Sequence, residues 1–160
     1  MEPRINLMTN ELGTNIGKRI YNVGLAIEQS PLPKATRNLA MLRGSQINGC
    51  GWCVDIHSKE AAHAGETEVR LNLVAAWRHA SVFTEAERAA LALTEEGTRL
   101  DVHQGVSDET WSQARKHYDD DQLIALVALI AVINATNRLS VILNYAGGTY
   151  KPGMLSSMAT

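Results

Sequence analysis

The sequence predicts an all-α fold, a helical bundle of about seven helices in a single domain. Alanine and leucine dominate the 160 residues and aromatic residues make up 5%, which favours helices because strands prefer aromatic and β-branched side chains. Apolar residues recur at helical spacing, and no alternating stretch of useful length indicates a strand. A chain of this length buries roughly 70% of the surface that its unfolded form exposes, so it needs no disulfide or metal to fold.

The first two helices are separated by prolines. Five apolar residues at three- and four-residue steps indicate an amphipathic helix over residues 9–29, namely Leu12, Ile16, Ile20, Val23 and Ile27. The run Ser-Pro-Leu-Pro at 30–33 ends that helix, because proline lacks an amide donor and restricts the residue before it. A second helix then extends to about residue 47. Three apolar residues are expected to face inward and two arginines outward: Leu39, Leu42 and Ile47, and Arg37 and Arg43.

The third helix is predicted to begin at Cys50 and to end at Ala64. The pair Asn48-Gly49 interrupts the helical pattern and offers an N-cap, and Gly65 suits the position after the helix. A fourth helix is expected over residues 67–79 from the periodicity of its apolar residues.

Capping residues mark the start of two further helices. Thr84 and Glu87 form a capping box for a fifth helix over residues 84–99. After an exposed loop at 101–106, Ser107 begins a short sixth helix through about residue 117, with two acidic residues placed favourably against the helix dipole.

The last helix is the most apolar one. It is predicted over residues 120–145, and its first half is hydrophobic on all sides, which indicates a central position or a subunit interface. Its unbroken apolar run at 123–133 is shorter than the about 20 residues that a bilayer span needs, so a buried helix is expected and a membrane anchor is not. Residues 147–160 have little periodicity and predict a flexible tail that packs on a neighbouring chain, which leaves residues 1–146 as the domain.

Charge and composition exclude several classes of partner. The formal net charge of −2 and the isoelectric point near 6.2 provide no basic field for phosphate, so nucleic acid is not an expected partner. The N-terminal segment lacks the basic start and apolar core of a signal peptide, and a cytoplasmic location is expected. No phosphate loop or dinucleotide fingerprint occurs, so no cofactor is expected.

The only concentrated chemistry is the run Cys-Gly-Trp-Cys at 50–53, followed by His57, and it contains both cysteines of the chain. Two thiols separated by two residues at a helix start close a disulfide with little strain, and the helix amides stabilise a thiolate. His57 is one turn beyond Cys53 on the same face, within reach of its proton. Cys50 is nearer the helix start, so the residues alone predict that it is the more acidic and less buried thiol.

Two other interpretations of the motif fit it less well. In the first, Cys50 and Cys53 are small buried hydrophobes, as free cysteines often are, but their spacing directly after Asn-Gly argues against it. In the second, both thiolates and His57 bind zinc. A structural zinc site takes four ligands, and His63 lies on the opposite side of the helix, so no metal is expected.

Two further groups of residues are open to more than one interpretation. Trp52 either walls off the thiol pocket or simply packs. Asn134, Asn137 and Arg138 form a polar patch late in the last helix, which either lines the active-site pocket or bonds across subunits.

Several stretches of the sequence match a known pattern: LRGSQINGCGWCVDIHSKEA at 42–61, AGE at 64–66, AAWR at 75–78, FTEAERAAL at 83–91 and INATNRL at 133–139. Together they closely resemble the alkylhydroperoxidase D-like branch of the carboxymuconolactone decarboxylase family, over about residues 30–145. The resemblance implies an all-helical fold that assembles as trimers or hexamers. It also implies a thiol-dependent hydroperoxide reductase.

The resemblance assigns roles to the motif residues. Cys53 attacks a small hydroperoxide and becomes a sulfenic acid, which Cys50 resolves as a disulfide. His57 belongs to a proton relay that serves the attacking thiol and the leaving hydroxide. A dithiol electron donor, either lipoamide-like or a redox protein, restores the two thiols.

One position departs from the family pattern. The relay usually includes a glutamate twelve residues before the first cysteine, where this chain has Asn38. An amide can orient an imidazole by hydrogen bonding, but it cannot accept a proton as a carboxylate does. Glu60, one turn beyond His57, is a second residue able to hold the ring, although a carboxylate there more often faces solvent.

The sequence therefore leaves three hypotheses for function. The leading one is a thiol-dependent hydroperoxide reductase. The second is a dithiol-disulfide oxidoreductase without peroxidase turnover, for which Asn38 is no handicap, and the third is a non-catalytic oligomeric binding module. Lyase activity on a lactone is not expected, because the lyase members that the resemblance brings in do not depend on paired cysteines.

Overall fold

The computed structural model describes residues 2–154, apart from the side chain of His103, and confirms the all-α class. Within that range there is no strand, and the helices are α1 (Glu11–Glu28), α2 (Lys34–Ile47), α3 (Gly51–His63), α4 (Glu68–Leu73), α5 (Glu85–Thr98), α6 (Leu100–His103), α7 (Asp108–His117) and α8 (Asp120–Ile142). A 3₁₀-helix at Val74–His79 lies between α4 and α5.

The helices differ from the predicted set in two places. The helix expected over residues 67–79 divides into α4 and the 3₁₀-helix, and the backbone of Ala76 inside the latter is not helical. The single turn of α6, Leu100–His103, overlaps the first half of the loop expected at 101–106.

Several of the helices begin at capping side chains. Thr84 and Glu87 form the predicted capping box at α5, and Ser107 accepts a hydrogen bond from a backbone amide in the first turn of α7. A second capping box, between Asp119 and Gln122, begins α8. Each cap satisfies an amide that would otherwise have no partner in the helix.

Helix α2 is central, because it packs against α3, α5 and α8. Leu39 and Leu42 face the core as predicted and are each 1% exposed. The outward orientation predicted for Arg43 is wrong. Its guanidinium is largely buried and forms an ion pair with Glu95 of α5 at 2.6 Å, because a charge on this face of α2 needs a partner inside the protein.

The apolar faces of α1 and α8 are only partly covered. An amphipathic helix usually turns its apolar stripe toward the core, yet Leu12 is 68% exposed and Ile27 is the only fully buried member of the stripe on α1. On α8, Leu126 is buried whereas Ile124 is 71% exposed. By length and composition alone α8 is apolar enough to cross a membrane, a test that core helices also pass.

Residues 147–154, here called the C-terminal segment, lie against α3 of the same chain. Gly148 and Tyr150 donate their backbone amides to Oδ2 of Asp55 at 2.7 and 3.1 Å. Lys59 donates to the carbonyl of Tyr150 at 2.9 Å. The segment therefore packs on its own chain, where the sequence predicts a flexible tail, and residues 155–160 of that tail lie outside the described part.

Candidate functional site

Cys50 and Cys53 form a disulfide at the start of α3, with 5.3 Å between their Cα atoms. Cys50 is itself the N-cap of α3, and its Sγ accepts a hydrogen bond from the amide of Cys53 at 3.2 Å. The predicted N-cap at Asn48 is wrong, because Asn48 is the C-cap of α2. Gly49 follows in the left-handed region, at φ 64°, and reverses the chain between the two helices.

Both cysteines are buried. Cys50 is 1% exposed and Cys53 3% exposed, so the expectation that Cys50 is the less buried thiol is wrong. A reagent therefore reaches either sulfur only when neighbouring groups move aside.

His57 lies one helical turn beyond Cys53, on the same side of α3. The ring is half-buried and makes no hydrogen bond to any described residue. Loss of water around the ring lowers the pKa of His57 to about 4, against the opposing effect of the Glu60 carboxylate. The imidazole is therefore neutral at neutral pH and able to accept a proton.

Burial of neutral His57 predicts acid sensitivity. Between pH 6.5 and 4 the ring takes up a proton in the unfolded chain but not in the folded one, so protons favour unfolding and stability falls as the pH decreases. Above pH 6.5 the effect is absent. From pH 6.5 to pH 4, we expect the free energy of unfolding of the oxidised wild type to decrease more than that of the oxidised His57→Gln variant. The difference between the two decreases should reach up to about 3 kcal/mol.

Urea unfolding at several pH values measures this difference. Carboxylates titrate in both proteins, so their contribution cancels in the comparison. Parallel pH profiles for the two proteins would mean that the pKa of His57 is not lowered by the fold.

Asn38 lies on α2, at the position where the resemblance places a glutamate. Its side chain is half-buried and forms no hydrogen bond within residues 2–154, so no bond ties it to His57. The structure thus joins Cys50 to Cys53 and places His57 one turn away. The catalytic roles of these residues stay predictions.

A network of side-chain amides holds the turn that leads to Cys50. Asn48 donates through Nδ2 to Oδ1 of Asn137 at 2.9 Å and to Oδ1 of Asn134 at 3.0 Å. Asn137 donates through Nδ2 to Oγ of Ser45 at 3.2 Å, and neither residue has exposed surface. These bonds join α8 to the end of α2 within one chain, so this part of the polar patch is satisfied without a second subunit.

Asn134 and Arg138 also line a groove of about 800 Å³ between α5, α6 and α8. The remaining lining is mainly apolar, and neither cysteine nor His57 belongs to it. The patch therefore lines a surface groove, but one that lies away from the thiols. Among the described residues no group of three or more histidine, cysteine, aspartate or glutamate side chains is arranged to hold a metal.

The C-terminal segment contacts the motif directly. The ring centroid of Trp52 lies 6.2 Å from that of Tyr150, in an edge-to-face arrangement, and 6.1 Å from that of Tyr145. Gly147 lies so close to Gly51 that a Cβ at position 147 would meet the Gly51 carbonyl oxygen at 2.4 Å. Trp52, which lies between the two cysteines in the sequence, therefore packs against Tyr145 and the C-terminal segment.

Glu60 is the residue near His57 that the C-terminal segment holds in place. Its Oε1 accepts hydrogen bonds from the Tyr150 hydroxyl and, at 2.7 Å, from the backbone amide of Gly153. The sequence indicates Glu60 only through its spacing from His57. Nothing in the sequence links Tyr150 to the motif, because the two lie far apart along the chain.

The chain is similar in sequence to one protein family and to an uncharacterized bacterial protein. The sequence profile described as the carboxymuconolactone decarboxylase family matches residues 18–96. The uncharacterized protein YdfG of Bacillus subtilis is 40% identical over 114 residues, which cover 71% of this chain and 77% of YdfG.

Solved structures share the fold. Protein ATU0492 from Agrobacterium tumefaciens, of unknown function and with a suggested role as an antioxidant defence protein AhpD, superposes with a TM-score of 0.86 at 31% identity, over 93% of this chain and 100% of that one. The debrominase Bmp8 superposes with a TM-score of 0.73 at 17% identity, over 92% of this chain and 79% of that one. At that identity the likeness to Bmp8 concerns the fold alone.

Proposed function

The chain belongs to the carboxymuconolactone decarboxylase family, and from this premise we propose that it is a thiol-dependent hydroperoxide reductase. The observation that carries the proposal is the closed Cys50–Cys53 disulfide at the start of α3, with His57 one turn further on. Such a pair can give two electrons to a substrate when its two thiols form a disulfide, and it regains them when a donor reduces that disulfide.

The proposed cycle begins with both cysteines reduced. The Cys53 thiolate attacks one peroxide oxygen of the hydroperoxide, the O–O bond breaks, and the products are an alcohol and the sulfenic acid of Cys53. The Cys50 thiol then attacks the sulfenic sulfur, which forms the disulfide and releases water. A dithiol donor reduces this disulfide by two exchange steps and is itself oxidised to a disulfide.

His57 and the helix start supply the proton transfers and the negative charge stabilisation that this cycle needs. Because the pKa of His57 is lowered to about 4, the ring is neutral at pH 7 and can accept the proton of the Cys53 thiol. The same proton then goes to the leaving oxygen, which departs as an alcohol. Backbone amides in the first turn of α3 favour the thiolate form of the pair.

The proposed partners follow from this chemistry. The substrate is a small hydroperoxide, and the donor is a dithiol of the lipoamide type or a redox protein. A reducing compartment such as the cytoplasm suits the cycle. We also propose a homo-oligomer, since exposed apolar residues on α1 and α8, such as Leu12 and Ile124, support association of copies of the chain.

The test supplies the reduced protein with cumene hydroperoxide and dihydrolipoamide and follows loss of the hydroperoxide. We expect continuous consumption by the wild type and none by the double variant Cys50→Ser/Cys53→Ser, which keeps the size of both side chains. Equal rates for the two proteins would contradict a thiol-based reaction.

A second candidate function is disulfide exchange with a partner, without peroxide chemistry. The observation that favours it is Asn38, which leaves the family's relay position without a carboxylate. In that case the wild type oxidises dihydrolipoamide only when a disulfide acceptor replaces the hydroperoxide. Slow alkylation of both reduced thiols at neutral pH, with neither reaction, would instead favour a non-catalytic binding module.

A further inference from the structure

Four side chains with redox or proton-transfer chemistry follow one another along a single side of α3. Cys50, Cys53, His57 and Glu60 are separated by steps of three, four and three residues. Residues at these steps are neighbours on a helix surface, about 5–6 Å apart at Cβ. The order along this side is therefore two sulfurs, an imidazole and a carboxylate.

The carboxylate at the end of this row has a fixed position. Glu60 is half-buried, and its Oε1 accepts hydrogen bonds from the Tyr150 hydroxyl and the Gly153 amide. Tyr150 is itself 2% exposed and its backbone is held by Asp55 and Lys59. A carboxylate that is fixed in this way keeps its distance to the neighbouring ring, whereas a solvated one moves freely.

Resting on the proposed function, we propose that Glu60, fixed by the C-terminal segment, is the positioning carboxylate of His57 and takes the role of the acid that is absent at position 38. Asn38 makes no hydrogen bond within the described residues and its amide carries no charge, so this residue offers the ring neither a charge nor a bond. Glu60 offers a negative charge one turn away, which counteracts the effect of burial on the pKa of His57.

In this role Glu60 favours proton transfer from the Cys53 thiol to His57. When His57 takes the proton from Cys53, a positive charge forms on the ring, and the Glu60 carboxylate one turn away stabilises that charge. When the O–O bond breaks, His57 gives this proton to the leaving oxygen, which departs as an alcohol. Without Glu60 the half-buried ring would be a weaker base, and proton removal from Cys53 would be slower.

The test compares Glu60→Gln, which keeps the shape and removes the charge, with Glu60→Asp, which keeps the charge. Asp55→Asn is the matched control, because Asp55 also binds the C-terminal segment but lies on another side of α3. Two quantities are measured: the titration of His57 by NMR, and the rate at which the reduced protein reacts with cumene hydroperoxide in a single turnover.

We expect Glu60→Gln to lower the pKa of His57 and to slow the single turnover about tenfold, which is part of the about 10²-fold or more that general acid-base catalysis provides. Glu60→Asp should restore most of the rate. Asn38→Glu should restore rate in the Glu60→Gln protein and change the wild type little. Tyr150→Phe, which removes one bond to Glu60, should give a smaller loss in the same direction.

Two results would overturn this role for Glu60. One is a His57 titration that does not move in Glu60→Gln. The other is a single-turnover rate in Glu60→Gln that equals the wild-type rate. Asp55→Asn loosens the segment but keeps the Glu60 charge, so its loss of rate should be smaller than that of Glu60→Gln. If the wild type consumes no hydroperoxide, the proposed function fails, yet the NMR titration still decides whether Glu60 acts on His57.

Discussion

Replacing Cys53 by serine is expected to abolish hydroperoxide consumption. A serine hydroxyl is not ionised near neutral pH and cannot attack the peroxide bond as a thiolate does. The remaining Cys50 then has no partner with which to form a disulfide. The measurement is loss of cumene hydroperoxide in the presence of dihydrolipoamide, and the variant should match the protein-free blank.

Cys50→Ser is the matched variant, because serine is also a preferred N-cap and keeps the start of α3. In the absence of any thiol donor, the reduced variant should consume one equivalent of hydroperoxide and stop with Cys53 as a sulfenic acid, which dimedone labels. The opposite pattern, with the single equivalent in Cys53→Ser, would reverse the two roles. That outcome would agree with the expectation from helix position alone, which favours Cys50 as the more acidic thiol.

Asn137→Asp is expected to lower the free energy of unfolding by about 3–5 kcal/mol at pH 7.5, because it removes an amide donor and buries a negative charge. Asn137 has no exposed surface. Its Nδ2 donates to Ser45, whose hydroxyl already donates to the carbonyl of Met41, so the new oxygen would face another oxygen. The measurement is urea unfolding of the oxidised protein.

The penalty should shrink as the pH falls. Burial raises the pKa of the new carboxyl in the folded state, so protonation favours the folded form and the difference from wild type narrows toward pH 5. Asn137→Leu, which brings no charge, should cost about 1–3 kcal/mol at every pH. A penalty in Asn137→Asp that is equal at pH 7.5 and pH 5 would mean that water reaches this site.

The helices could be predicted largely because their signals are local. A capping box such as Thr84 and Glu87 lies within one turn, and its geometry follows from the side chains alone. The split of the helix at 67–79 has no such signal. The exposure of Leu12 on α1 could not be predicted from the sequence either, because periodicity shows which residues share a face but not what covers that face.

The candidate site divides in the same way. Cys50, Cys53 and His57 could be found from spacing, since all three lie on one helix. The hydrogen bonds that Tyr150 and Gly153 make to Glu60 join residues about ninety positions apart, and no periodicity reports such a contact. The role of Asn48 was also predicted wrongly. Its position in the sequence predicts an N-cap for α3, whereas in the structure it ends α2 and donates a hydrogen bond to α8.

The close approach of Gly147 to Gly51 makes the redox motif non-transferable by itself. A designer who grafts the Cys-Gly-Trp-Cys helix onto another scaffold leaves behind the C-terminal segment, which packs on Trp52 and fixes Glu60. A working graft would have to include both the helix and the C-terminal segment. It would also have to keep a glycine at position 147, where the two backbones come close.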